Sequence, residues 1–166
     1  IQKIVNHIGN FIRSSNKEGL TAIFDSVRPV RSTATAFTWY TSKPVQPVKK
    51  SQISHAVLDS RWESVGFEFE RNRIPGLLAW AKNDHLGFEI YYFWQGRTHV
   101  YYPDFILRFG GNRYLILEVK GKKTDQDEAK WAAAREWVDA VNANGNFGTW
   151  RFAVLKNPKE LFEIVR

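Results

Sequence analysis

The sequence predicts an α/β domain built on a mixed sheet of four to five strands flanked by helices. Three observations lead there. The compact part reads in the order helix, three strands, helix, strand, helix. The three consecutive strands are joined by short Gly-containing turns, which suits antiparallel pairing. The fourth strand is reached only after a long helix, a connection that permits a parallel pair.

The elements follow in chain order. In "IQKIVNHIGNFIRSS", residues Ile1, Ile4, Val5, Ile8, Phe11 and Ile12 share one helical face, so residues 1–13 read as a helix. The chain opens inside this pattern and has no Met, so it reads as part of a longer protein. Residues 14–34 are rich in Ser, Thr and Arg and read as irregular. "TATAFTWYTS" (33–42) is β-like, and "KPVQPVKKSQ" (43–52) reads as a linker or an extended arm. This divides the chain into an N-terminal helix and arm, 1–50, and a compact domain, 51–166.

Within that domain a helix is expected from Asp59 or Ser60, with Trp62, Val65 and Phe69 as its apolar stripe. "RIPGLLAWAKN" reads as a second short helix. "GFEIYYFWQGRTHVYYPDFILRFGGNRYLILEVKG" reads as three strands, turning at Gln95-Gly96 and Gly110-Gly111. Thr124 to Val141 is helical in composition, with Thr124 or Asp125 as cap and acids in the first turn. "WRFAVL" is the fourth strand, and "NPKELFEIV" is a last helix with Pro158 at its first position.

Composition narrows the function classes. The chain has 166 residues, 43% hydrophobic and 15% aromatic, enough for a core of its own. No apolar run approaches the roughly 20 residues of a membrane span, and no signal peptide is visible. There is no Cys, which excludes disulfides, zinc–thiolate sites and iron–sulfur clusters and fits a cytoplasmic setting. The net charge is +7 and the sequence pI about 9.7. That balance favours polyanionic partners, nucleic acid before anionic membrane.

The chemistry concentrates in "YYPDFILRFGGNRYLILEVKG" (101–121). A hairpin centred on Gly111 sets Asp104 directly opposite Glu118, with Cβ atoms roughly 4.5–5.5 Å apart. Lys120, two residues on, shares their face. The other face takes Tyr101, Phe105, Leu107 and Phe109 with Leu115, Leu117 and Val119, which makes a core face. Opposed carboxylates repel unless a positive charge lies between them. Two readings follow: a structural carboxylate–lysine cluster, neutralised by Lys120, or a Mg²⁺ site made of two carboxylates, a backbone carbonyl and waters.

Pro103-Asp104 followed by Glu118-Val119-Lys120 resembles the PD-(D/E)xK nuclease motif, and the order of elements resembles the restriction-endonuclease-like core. "ISHAVLDSRWE", "GFEIYYFWQGRTHVYYPDFILRF", "LILEVKGK" and "WVDAVNANGNFGTWRFAVL" are similar to the C-terminal nuclease region of type III restriction endonuclease-like subunits. The likeness covers roughly 37–166. It implies a Mg²⁺-dependent endonuclease acting on double-stranded DNA, with Mn²⁺ as substitute, covalently linked to an ATP-dependent motor. No G-x-x-x-x-G-K-[ST] run occurs in the chain itself. Carried over by position, Asp104 and Glu118 bind the metal with the Val119 carbonyl, and Lys120 positions the attacking water. Glu63 takes the place of a further acidic ligand, against a reading in which Ser60-Arg61-Trp62-Glu63 is only a capping box.

Lys122, Lys123 and Arg97 are candidate phosphate contacts. Lys130 and Arg135 fit a solvated helix face better, and Gln126 and Lys130 could support the site from their helix. Tyr91, Tyr92, Tyr101, Tyr102 and Trp94 suit core packing better than base stacking. His99 fits a surface residue beside a turn. Two other activities remain open: a nuclease-like module that binds DNA without cutting, and a nuclease for RNA or branched DNA.

Overall fold

The computed structural model describes Thr33 and residues 38–57, 63–71 and 74–166. The expected helix over 1–13 and the irregular stretch after it lie outside these residues, Thr33 apart. Two short strands, β1 (Val45–Pro47) and β2 (His55–Val57), form an antiparallel pair. Helix α1 (Glu63–Glu70) is followed by β3 (Leu77–Lys82), β4 (Ile90–Trp94), β5 (Arg97–Tyr101), β6 (Phe105–Phe109) and β7 (Arg113–Val119). A long helix α2 (Asp125–Asn144) leads to β8 (Thr149–Leu155). The chain ends with a 3₁₀ turn, Pro158–Glu160, and α3 (Leu161–Ile164).

The main sheet has the order β3-β6-β7-β8. β3, β6 and β7 are antiparallel neighbours, and β8 runs parallel to β7. The mixed sheet flanked by helices is thus the expected architecture, and the helical crossover supplies the parallel pair. β4 and β5 form a separate hairpin.

Several elements differ from expectation. "RIPGLLAWAKN" yields β3, not a helix. Leu and Ala favour helix, but here the run pairs with β6, and the Trp80 indole N–H donates to Glu70 Oε1 at 2.7 Å. Tertiary partners override the local preference. The third expected strand boundary is also displaced: the run from Arg97 to Phe109 is two strands, broken at Tyr102-Pro103-Asp104. Pro103 has no N–H for a ladder and biases the residue before it. The described residues of the β-like stretch, Thr33 and 38–42, hold no strand. The 43–52 segment contains β1 and is tied down at its end: the Lys49 and Lys50 amides donate to the Glu70 carboxylate, and Trp80 N donates to Lys50 O.

The core lies on both faces of the sheet. One face packs Phe105, Leu107, Phe109, Leu115 and Leu117 against Val65 and Phe69 of α1 and Leu161 and Val165 at the C-terminus. The other face packs Ile116 against Ala133, Ala134 and Val138 of α2 and Ile90, Tyr92 and Tyr101 of the β4–β5 hairpin. Strand β7 is therefore buried on both sides, as expected for a strand with a parallel partner and helices over it.

Helix α2 is closed at both ends. Thr124 caps it, its side chain accepting from Asp127 N, while the Asp127 side chain accepts from Thr124 N. Gly145 ends it in the left-handed region. Asn142 then grips Trp150 through both its amide N and its carbonyl O, which fixes where β8 begins. Gly148 lets the loop close on β7: at φ +81° a Cβ there would lie 2.4 Å from Asn112 O, a contact no other residue tolerates.

Candidate active site

The β6–β7 hairpin has the expected register. Phe105 pairs with Leu117 and Phe109 with Arg113, around the Gly110-Gly111-Asn112 turn. Continuing that ladder by one residue sets Asp104 opposite Glu118. Asp104 stands just before β6, where its Oδ2 accepts from Val119 N at 2.8 Å. Its own carbonyl accepts from Asn83 N at the end of β3. The break at Pro103 and the pairing of three strands thus fix where this carboxylate sits.

Glu118 is 7% exposed and lies on the α2 side of the sheet. The Tyr101 hydroxyl donates to Glu118 Oε2 at 2.7 Å. Tyr101 was expected on the α1 face with Phe105. It lies on the other face because the chain changes direction between them, so strand alternation does not carry across. It belongs to the hairpin β4–β5 and serves the site instead of the α1 core.

The two carboxyls lie close enough that each acts on the other's protonation. Burial and the charge of Asp104 push Glu118 up to about 8. Burial also raises Asp104, against the Val119 amide, which favours its charged form. Burial and the neighbouring Glu118 raise the Tyr101 hydroxyl, so it stays a donor. The pair therefore keeps a proton above the ordinary carboxylate range, with Glu118 the more strongly raised.

In the structural reading of the cluster, Lys120 neutralises this pair. Its ammonium instead lies 3.2 Å from Asp127 Oδ1. The charges of Lys82 and Lys120 both favour ionised Asp104. Asp127 is the residue sequence reasoning missed as part of the site. It is 1% exposed and also meets Lys130 at 3.5 Å. Burial would raise it, but the Thr124 hydroxyl and amide and the Lys120 ammonium outweigh that and hold it at about 2. The signal was in the sequence: Thr124-Asp125-Gln126-Asp127 has capping-box spacing, and an acid at N3 looks inward as well as back. Lys120 and its backbone are thereby fixed, the latter by Lys120 N donating to Leu155 O.

Gln126 and Lys130 both reach from α2 towards the tyrosines of the β4–β5 hairpin. Gln126 donates to the Tyr92 hydroxyl at 2.7 Å, and the Lys130 ammonium lies 6.0 Å from the Tyr101 ring centre. Tyr92 and Tyr101 are buried, while Tyr91 and Tyr102 are exposed and both donate to Glu89. Lys122 is exposed at the exit of β7, and Lys123 is paired with Glu128. Arg97 opens β5 at the end remote from Asp104, so it is not brought to the carboxylates. His99 meets Trp94 O and stacks on Tyr92, away from them. Glu63 opens α1, and its side chain is not among those described.

Among the described residues no group of three or more His, Asp or Glu side chains forms a metal cluster. The donor set does fit one divalent cation. Buried Glu118 and half-buried Asp104, keeping a proton between them, are what a cation in that place would hold ionised, with the Val119 carbonyl and waters as further oxygens.

The shared proton has a consequence for stability. Glu118 has an ordinary value of 4.5, so above that pH the unfolded chain loses a proton that the folded, metal-free protein keeps up to about 8. Stability from this group is complete below 4.5 and falls as pH rises towards 8, by at most about 1.4 kcal/mol per pH unit. Asp127 acts with the opposite sign only below its ordinary 3.8, outside that window. Urea unfolding of the metal-free protein across this range is expected to show the decline, and Glu118→Gln to flatten it.

Among the described residues no helix is long and apolar enough to cross a membrane. No protein-family model, curated protein or solved structure matches this chain.

Proposed function

We propose that this chain carries a Mg²⁺-dependent endonuclease domain that hydrolyses DNA phosphodiester bonds. The reading extends to the nuclease part of a type III restriction-like enzyme with a linked ATP-dependent motor. The observation that carries it is the juxtaposition of half-buried Asp104 and buried Glu118 at adjacent strand ends, with Lys120 leaving the same strand. The sheet order, an antiparallel hairpin followed by a helix and a parallel strand, supports the restriction-endonuclease-like core.

Asp104, Glu118 and the Val119 carbonyl would hold the cation. When bound, it would polarise the scissile phosphate and acidify a water. Tyr101 holds one Glu118 oxygen and so orients the carboxylate. Lys120, fixed by Asp127, offers an ammonium to the attacking water and to charge developing on the phosphate. The basic balance of the chain favours the polyanionic substrate.

The test is nicking of supercoiled plasmid by the full chain. Cutting is expected with Mg²⁺ or Mn²⁺ and none with a chelator. Cutting that a chelator leaves untouched would remove the metal from the account.

A further inference from the structure

A cavity of about 500 Å³ lies between α2 and β8, separate from the carboxylate pair. Lys123, Glu128, Trp131, Arg135, Phe152 and Lys156 line it. Three cations face one carboxylate. Lys123 is engaged with Glu128, so the positive excess rests on Arg135 and Lys156. Trp131 is 5% exposed, and its indole N–H is buried with no acceptor among the described residues. A buried donor without an acceptor costs about 1–3 kcal/mol, so this one is a position where an incoming oxygen is favoured. The Arg135 guanidinium lies 5.9 Å from the Phe152 ring centre, which offers a flat cationic surface.

We propose that this cavity is a nucleotide subsite. It takes one phosphate of a nucleic-acid strand on Arg135, Lys156 and the Trp131 N–H, with the adjoining base against Arg135. A phosphate suits it because the site presents donors and positive charge and needs a ligand that brings only acceptors. Its volume lies in the range of small-ligand sites, so a sugar and base fit beside the phosphate. Lys123 lines the cavity three residues after Lys120. A strand held here would run on towards the carboxylates if they take its next phosphodiester. That last step rests on the nuclease reading; the subsite itself does not.

The test is fluorescence anisotropy with a labelled single-stranded DNA oligonucleotide over a salt series without metal, plus calorimetry with a free nucleoside monophosphate. Arg135→Glu and Lys156→Glu are expected to weaken oligonucleotide binding about tenfold and to lower the salt slope by about 1. Trp131→Phe keeps the ring and removes the N–H, and is expected to weaken binding by about threefold. Lys159→Glu makes the same charge change on the exposed 3₁₀ turn and is expected to have little effect. Equal weakening by Lys159→Glu would reduce the effect to net charge and overturn the subsite, as would indifference to Arg135→Glu and Lys156→Glu. Binding of the free nucleotide as tight as that of the strand, with the same Lys156 dependence, would overturn the strand as ligand. Arg135 and Lys156 are exposed, so their variants decide the matter even if Trp131→Phe fails to fold. A protein that cuts DNA yet ignores these substitutions retains the nuclease reading and loses the subsite. One that binds through them but never cuts shows the reverse.

Discussion

Asp104→Asn and Lys120→Met are each expected to cut plasmid at least about a hundredfold more slowly than the parent protein, comparable with removing one preorganised charge stabiliser from an active site. The two variants fail for different reasons. Asparagine keeps an oxygen for the Val119 amide, so the strand end stays in place. It removes one of two negative charges that a divalent cation needs. Metal-free Asp104→Asn should therefore melt no lower than the parent, because a like-charged neighbour of Glu118 is gone. Lys120→Met leaves both carboxylates and should leave metal binding intact while cutting is lost. DNA affinity, measured without metal, should change little in either. Undiminished cutting by both variants would mean that the chemistry lies elsewhere.

Asp127→Ala is expected to cost about 3 kcal/mol of stability and most of the activity, although the residue touches neither substrate nor metal in this account. Four groups lose their acceptor at once: the Thr124 hydroxyl and amide, and the ammonium groups of Lys120 and Lys130. A lost helix cap typically costs about 1 kcal/mol, and breaking a buried ion pair about 3–5 kcal/mol. Both lysines keep access to water, which reduces the second figure. The activity loss follows because Lys120 is no longer held. Asp127→Asn separates the effects: it retains an oxygen for Thr124 but not the charge for the lysines. It should recover part of the stability and little of the rate. Chemical unfolding and plasmid nicking on the same preparations read both outcomes.

Much of this site was legible in the sequence, and the reasons are local. The Gly110-Gly111-Asn112 turn and the alternation of Phe105, Leu107, Leu115 and Leu117 set a single register, and that register alone opposes Asp104 and Glu118. Thr124 announces the start of α2 by its side chain, and Pro158 announces the last turn. What was not legible depends on distant partners. β3 carries helix-favouring residues and becomes a strand because β6 and Glu70 receive it. Tyr101 changes faces because Pro103 breaks the strand, so period-two counting stops one residue too late. Lys120 sits beside the acids in the motif but finds its ion pair on α2, a partner that hairpin geometry does not contain.

The most direct test of the central claim is calorimetric titration of Mn²⁺ into the parent protein and into Glu118→Gln at pH 8. The account predicts one bound ion in the parent, binding that weakens sharply in Glu118→Gln, and proton release on binding as the shared proton leaves. Absence of binding in the folded parent, or equal binding in Glu118→Gln, would contradict it.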